Sequence, residues 1–309
     1  MAEVGPEETD NAIVVVSGTH GVEGYLGSAL QRHHLETYDR DRTGGPVLVF
    51  VHALNPYGFS WVRRVNEDNV DLNRNFIDWE RPAPANDDYH DLALAGPALV
   101  ERSRSGDVVR DVDATARSPR TRASPADHLG RPVRPSNGRL LRRHRAHLVE
   151  PMDERVHRAS PVWHAASGDP RPAPGLGPWG HGELISSAAP GDPALDRQRA
   201  WWDDVTSLHD GTSVSAELAG EWLGAVTDLR PDTEVTGVAI EYGTVDPITV
   251  LQGLRADAVL HASGAPSAPE AKTIRDQVRA AFIDDDPAWL EACWARYLPV
   301  VTTAVERLT

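Results

Sequence analysis

Three apolar runs without polar alternation constrain the fold of this chain most strongly. They are "AIVVV" at 12–16, "VLVFVHAL" at 47–54 and "GVAIEYGT" at 237–244, and β-branched residues are frequent in them. Runs of this kind are typical of strands that are buried on both faces, as in a parallel sheet. The chain is therefore expected to contain an α/β sheet covered on both sides.

Helical patterns alternate with these strands. A helix is predicted over 25–37, and the apolar spacing of 287–308 predicts another. Pro287 stands where a first helical turn tolerates proline, and Pro299 is expected to kink the helix. The residues "NPYG" at 55–58 predict a turn after the second strand.

Composition excludes several classes of partner. The chain has 309 residues and a formal net charge of −15, which disfavours nucleic acid and anionic membrane surfaces as partners. Cys293 is the only cysteine, so a disulfide framework is excluded and a reducing compartment is favoured. The first ten residues lack the pattern of a signal peptide, and no apolar run approaches the ~20 residues of a membrane span. We expect a cytoplasmic protein.

The stretch 97–174 differs from the rest of the chain. It holds 15 of the 30 arginines, has a net charge of +6, and contains Trp163 as its only aromatic residue. Neither strand nor helix periodicity persists there, so an irregular insertion with little regular structure is predicted. An arginine-rich arm for an acidic partner is a second interpretation.

Two segments carry residues suited to catalysis. "SGTHGVEG" at 17–24 places His20 and Glu23 three positions apart, directly after a strand, where open α/β sheets bind ligands. A His-x-x-Glu pair alone is more often a solvated pair than half of a metal site. Residues 52–76, "HALNPYGFSWVRRVNEDNVDLNRNF", are either a charged loop or a cluster for binding carboxylates and polarising carbonyls; the candidates there are Arg63, Arg64, Asn73 and Arg74.

These two segments, together with "GLGPWGHGELI" and "AIEYGT", resemble the zinc carboxypeptidase superfamily, which also contains the succinylglutamate desuccinylases and aspartoacylases. The nearest resemblance is to a bacterial branch labelled as a domain of unknown function. It covers roughly 11–90 and 175–265 and lapses between them. The resemblance implies an α/β fold with a mixed, mostly parallel sheet flanked by helices. It implies one domain over 1–309, interrupted by the irregular segment 97–174. Members of the family usually have more chain before the first strand, so loss of an edge strand is expected.

The resemblance also implies roles for single residues. His20 and Glu23 correspond to the first two zinc ligands, and Glu241 corresponds to the general base. Either Arg63 or Arg64 corresponds to the arginine that polarises the scissile carbonyl. The remaining implied residues bind substrate, and they are Asn73 and Arg74, which hold a terminal carboxylate, and His181 and Tyr242, which line the pocket. The implied cofactor is Zn²⁺, which lowers the pKa of its bound water to ~7.

The third zinc ligand is missing from the sequence. The family places a histidine in Asp-Leu-His-Thr-Gly, just before the Gly-Leu-Gly-Pro motif, and the corresponding residue here is Ala173. Alanine cannot bind zinc, and a catalytic zinc needs three protein ligands. His157 and His164 lie in the irregular stretch, and His181 belongs to a motif of its own, so rescue by one of them is not the first expectation.

A shift of reading frame explains the missing ligand. One permitted encoding of "RAHLVEPMDER" at 145–155, read one base later, gives Glu-Pro-Ile-Trp-Ser-Asn-Arg-Trp, a segment of the kind found in the family. In the same frame, with two bases restored, "RPAPG" at 171–175 becomes Asp-Leu-His-Thr-Gly. We therefore hypothesise that 97–174 is translated out of frame.

The sequence thus predicts a zinc-dependent hydrolase of peptide or acyl-amino-acid amide bonds beside a free carboxylate, impaired in this polypeptide. The expected partner is a small-molecule or peptide substrate with a free carboxylate, and nucleic acid and membranes are not expected. The alternative is a remnant without catalysis that binds carboxylate-bearing peptides or acyl amino acids through Asn73 and Arg74. Stoichiometric zinc would distinguish the enzyme from the remnant.

Overall fold

A computed structural model describes the side chains of residues 1–39, 44–76, 178–213, 215, 220–226, 233–262, 266–269 and 271–309, and the backbone alone of 162–166 and 227–229. The strands are β1 (Ala2–Val4), β2 (Ala12–Ser17), β3 (Val47–Val51), β4 (Val162–Ala166), β5 (Gly182–Ser186), β6 (Val205–Ser207) and β7 (Val238–Tyr242). The helices are α1 (Gly24–Thr37), α2 (Pro56–Trp61), α3 (Pro193–Trp201), α4 (Trp222–Leu229), α5 (Pro247–Ala262), α6 (Ala271–Phe282) and α7 (Pro287–Leu308).

The strands of the described ranges form one sheet in the order β1-β3-β2-β4-β7-β5-β6. Strands β3, β2, β4 and β7 run parallel to one another, and β5 and β6 are parallel. The β1–β3 and β5–β7 pairs are antiparallel. The predicted α/β fold with a mixed, mostly parallel sheet flanked by helices is confirmed, and β1 supplies an edge strand.

Strand β4 corrects one expectation about the segment 97–174. Its backbone pairs with β2 on one side and with β7 on the other, as in Val14↔Val162 and Ala166↔Glu241. A strand that precedes the third ligand position in sequence is therefore present, although little regular structure was expected in this stretch. The sequence signal was weak because "VWHAA" is a short run with a histidine in its middle. The other residues of 97–174 lie outside the described ranges.

Each face of the sheet carries its own core, since alternate residues of a strand point to opposite faces. Ile13 and Val15 belong to a large cluster with residues of α1, α3, α5, α6 and α7. Val14 and Val16 belong to a smaller cluster on the opposite face, with Trp222, Leu223 and Val226 of α4. This two-sided burial explains why β2 reads as a continuous apolar run.

Four helices begin with an acidic or amide residue followed by proline. Asn55 accepts a hydrogen bond from Gly58 N at 2.8 Å, so "NPYG" starts helix α2, and the predicted turn is wrong. Asp192, Asp246 and Asp286 cap α3, α5 and α7 in the same way. The cap satisfies a free N–H group, and proline at the first helical position has no N–H to lose.

Helix α7 has the predicted bounds, and the chain stays helical through Pro299. It buries one face, including Trp289, Tyr297 and Val301, in the large core. No helix in the described ranges is both long and apolar enough to cross a membrane.

Candidate functional site

The turn after β2 carries His20 and Glu23 to the edge where the parallel strands end. Gly21 has a φ of +42°, and a Cβ atom at this position would lie 2.1 Å from the carbonyl oxygen of Arg63. Only glycine fits so close to another backbone. Val22 N donates to the same carbonyl at 2.9 Å, so the turn is fixed against the arginine segment.

Both ring nitrogens of His20 face carboxylates. Nδ1 lies 2.9 Å from Glu23 Oε2, and Nε2 lies 3.0 Å from Asp71 Oδ1. All three side chains are buried, with about 5% or less of each exposed. Asp71 was not among the predicted site residues, although it stands in the same "DLNRNF" motif as two of them. It fixes the orientation of the ring and directs Nδ1 towards Glu23.

Arg64 joins the two carboxylates. Its Nη1 donates to Glu23 Oε1 at 2.5 Å, and its Nε donates to Asp71 Oδ2 at 3.3 Å. Its Nη2 lies 3.2 Å from His20 Nε2. The cluster of His20, Glu23, Arg64 and Asp71 is therefore a compact network of opposite charges, which we call the His20 cluster.

The charges in the His20 cluster set its protonation. Burial and the Arg64 charge lower the pKa of His20, but Asp71 and Glu23 outweigh them, so the net direction is upwards. Burial raises the pKa of Asp71, but His20, Arg64 and Arg74 together hold it well below its usual range. With His20 protonated, two positive groups balance two negative ones. A cation that binds Nδ1 must therefore compete with a proton.

The two consecutive arginines face different partners. Arg63 donates from Nε to Asp257 Oδ2 at 2.9 Å and from Nη2 to Asn69 Oδ1 at 3.0 Å. Its third side-chain bond, of 3.5 Å, goes to a backbone carbonyl of the same loop. Of the two arginines predicted as the polarising group, Arg64 is thus the one whose guanidinium lies beside His20.

Asn73 and Arg74 lie between the His20 cluster and helix α4. Asn73 Oδ1 accepts a hydrogen bond from Trp222 N at 2.9 Å, which fixes the motif to the start of the helix. Burial raises the pKa of Glu221, and the charge of Arg74 acts in the opposite direction. Arg74 is therefore within electrostatic reach of two carboxylates, those of Asp71 and Glu221.

Glu241 is buried near the carboxyl end of β7, with 5% of its surface exposed. Its Oε2 accepts a hydrogen bond of 2.5 Å from Ser215 Oγ, and its cross-strand partner on β5 is Glu183. Strands β2 and β7 lie on either side of β4 and are parallel to it, so they end at the same edge of the sheet. This neighbourhood of the two strands was predicted. That Glu241 faces His20 and Glu23 stays a prediction.

Two predicted substrate-binding residues have different surroundings. Tyr242 is fully buried in the large core, and its hydroxyl donates to Cys293 O at 3.2 Å. Because it follows Glu241 in a strand, it points to the opposite face. Tyr242 is therefore a core residue, and the expectation that a substrate reaches it is corrected. His181 is exposed at the start of β5, where its backbone bonds Gly243 of the β7 edge.

The described residues supply two donors for a metal ion. Nδ1 of His20 and Oε2 of Glu23 are close enough to bind one ion together. Asp71 cannot join them, because it contacts the other side of the ring. No group of three or more His, Cys, Asp or Glu residues in the described ranges could hold a metal. The donors are thus one short of the three that a catalytic zinc needs, and Ala173 lies outside the described ranges. A complete zinc centre does not fit these residues.

Comparison with solved structures gives distant likenesses. A crystal structure of a candidate metallopeptidase from Shewanella amazonensis SB2B has a TM-score of 0.36 and 16% identity, and the match covers 99% of this chain and 81% of that one. Murine aminoacylase 3 has a TM-score of 0.35 and 13% identity, over 93% of this chain and 66% of the aminoacylase. Scores this low carry no information about activity. No curated protein matches the chain in sequence.

One family matches most of the sequence. Its profile aligns with residues 1–123 and 173–296. The profile leaves 124–172 and 297–309 unmatched. The match over 97–123 and 173–174 corrects the expectation that the whole stretch 97–174 departs from the family, and the departure is confined to 124–172 within it. The chain belongs to the family described as "Protein of unknown function (DUF2817)".

Proposed function

We propose that this chain is built around the site of a zinc-dependent hydrolase that cleaves peptide or acyl-amino-acid amide bonds beside a free carboxylate. The observation that carries the proposal is the setting of His20. Histidines that bind metals nearly always donate their second ring N–H to a carboxylate or carbonyl, which fixes the ring. Asp71 occupies that position on Nε2, while Nδ1 faces Glu23.

The polypeptide as written is an impaired form of that hydrolase. Ala173 stands at the third ligand position, and the described residues contain no substitute. A zinc ion held by two protein ligands is bound weakly and lacks a fixed geometry. Zinc-assisted hydrolysis by the unrepaired chain is therefore not expected.

The other residues have roles that suit the same reaction. Arg64 places a positive charge beside His20, where it can stabilise negative charge that develops on a carbonyl oxygen. Glu241 is the general base, and Ser215 orients its carboxylate. Asn73 and Arg74 bind the free carboxylate of the substrate, since a guanidinium and an amide match its two oxygens. His181 contributes to the rim of the pocket.

A non-catalytic binder of carboxylate-bearing ligands is the second candidate. It is favoured because Asn73 is bonded to the start of α4 and Arg74 donates to the Asn73 carbonyl, whereas the set of metal ligands in the described residues is incomplete. In that case the chain binds acyl amino acids but does not hydrolyse them, with or without a third ligand.

Repair of the chain separates these candidates. Hydrolysis of N-acetyl amino acids would be measured for three proteins: the chain as written, the chain with 97–174 restored to the family reading frame, and an Ala173→His variant. The methyl esters of the same amino acids, which lack the free carboxylate, are the control substrates. We expect hydrolysis from the restored chain and much less from Ala173→His, because the neighbouring family residues are also replaced. In the restored chain, Glu241→Gln should lower kcat by at least ~100-fold, the usual contribution of a general base. A restored chain that binds the acids through Arg74 without turnover would establish the binder.

A further inference from the structure

Arg63 forms a buried ion pair outside the His20 cluster. Its side chain is 2% exposed, and among the described residues it is one of the largest buried side chains. Its partner Asp257 lies on α5, 194 residues away in sequence. The same guanidinium also bonds Asn69, in the loop that leads to Asp71. One side chain therefore connects this loop to a distant helix.

The backbone on either side of Arg63 is tightly held. Val62 has a φ of +60°, which is unusual for a β-branched residue and persists only where the surroundings impose it. Arg63 N donates to Gly58 O at 2.8 Å, and Arg63 O accepts from Val22 N. This geometry directs the side chain of Arg63 towards α5 and that of Arg64 towards His20.

The loop after Arg64 depends on the same anchor. Asn69 also has a positive φ, of +59°, and its side chain is bonded by Arg63. Asp71 follows two residues later and provides the contact to His20 Nε2. Two residues of this loop contact His20. Arg64 directly follows Arg63, and Asp71 lies two residues after Asn69, which Arg63 bonds.

We propose that Arg63 and Asp257 form a positioning pair, whose buried ion pair anchors the 62–71 loop on α5 and thereby holds Arg64 and Asp71 against His20 and Glu23. The inference rests on the proposed function only in taking His20 and Glu23 as the centre of the site. Its test uses zinc-free protein and no substrate, so it can fail or succeed independently of the hydrolase proposal.

The test is the hydrogen exchange of the Arg64 Nε–H group, followed by NMR beside the amides of β2. This group donates to Asp71 Oδ2 and reports directly on the contact that the pair is proposed to hold. In Asp257→Asn, which preserves shape, and in Arg63→Met, we expect its exchange to accelerate roughly 10- to 100-fold more than that of the β2 amides, as expected for loss of a hydrogen bond to a charged group.

A core variant controls for a purely structural role. Val301→Ala, buried in α7, lowers the stability of the whole fold, so Arg64 Nε–H and the β2 amides should accelerate together. If Arg63→Met does not fold, Asp257→Asn decides alone. The proposal would be overturned if, in Asp257→Asn, the exchange of Arg64 Nε–H accelerated only as much as that of the β2 amides, as is expected in Val301→Ala.

Discussion

Asp71→Asn is the sharpest single test of the His20 cluster. One carboxylate oxygen of Asp71 faces His20 Nε2 and the other faces Arg64 Nε. An amide has one acceptor in place of two, so whichever way it is turned, one of these partners loses its bond and a buried positive charge loses part of its compensation. Removal of one partner of a buried pair costs about 3–5 kcal/mol. Because Arg64 keeps its bond to Glu23, we expect a loss of about 3 kcal/mol in the free energy of unfolding.

The pH dependence of this loss follows from the depressed pKa of Asp71. A carboxyl group with a lowered folded-state pKa contributes stability that is fully present above its unfolded pKa, about 4, and is lost as pH falls further. The difference between wild type and Asp71→Asn should therefore shrink below about pH 4. Between pH 7 and pH 5 it should grow as pH falls, because Asp71 also raises the pKa of His20 and the variant loses this support for the protonated ring.

Urea unfolding at these pH values measures the effect, and Asp276→Asn is the matched control. Asp276 pairs with Lys272 on the surface of α6, where more than half of each side chain is exposed. Surface pairs of this kind contribute below about 1 kcal/mol. If Asp71→Asn were no more destabilising than Asp276→Asn, Asp71 would not bear the charge interactions described here.

Three further variants test other parts of the structure. Burial, together with the nearby His33, lowers the pKa of His34 to about 4, so the folded protein resists protonation and loses up to roughly 3 kcal/mol as pH falls from 6.5 to 4. His34→Gln should remove most of this slope in urea titrations, and an unchanged slope would contradict the burial of the ring. Gly21→Ala should destabilise by more than 2 kcal/mol, roughly the cost of combined backbone strain and overlap, because its Cβ meets Arg63 O; a melting temperature equal to wild type would refute the tight turn. Tyr242→Phe should lower stability by about 1 kcal/mol through the lost bond to Cys293 O and leave the affinity for N-acetyl amino acids unchanged in titration calorimetry; a weakened affinity would return this residue to the site.

The parts of the fold that were predictable have strong local signals. Strand β2 is largely a run of β-branched residues, and β7 contains Val238 and Ile240 in a mostly apolar segment. Helix α7 combines apolar helical spacing with a proline in its first turn. The start of α2 was misread because "NPYG" is compatible with both a turn and a capped helix. The choice depends on whether Asn55 accepts from Gly58 N, which the composition of the segment does not reveal.

The candidate site was only partly readable from sequence, because its contacts join distant segments. Nothing local distinguishes Arg63 from Arg64, since the partner that separates them, Asp257, lies 194 residues away. The position of Tyr242, in contrast, could have been predicted. Neighbouring residues of a strand face opposite sides, so Glu241 and Tyr242 cannot both face one site.

The most direct test of the central claim is the zinc content of the chain as written, measured by metal analysis after equilibrium dialysis beside the chain with 97–174 restored. His20 and Glu23 are proposed as two of three protein ligands, with the third lost at Ala173. We expect one zinc per restored chain and far less than one in the chain as written. Stoichiometric, tightly held zinc in the unrestored chain would contradict this assignment, because another residue would then complete the site.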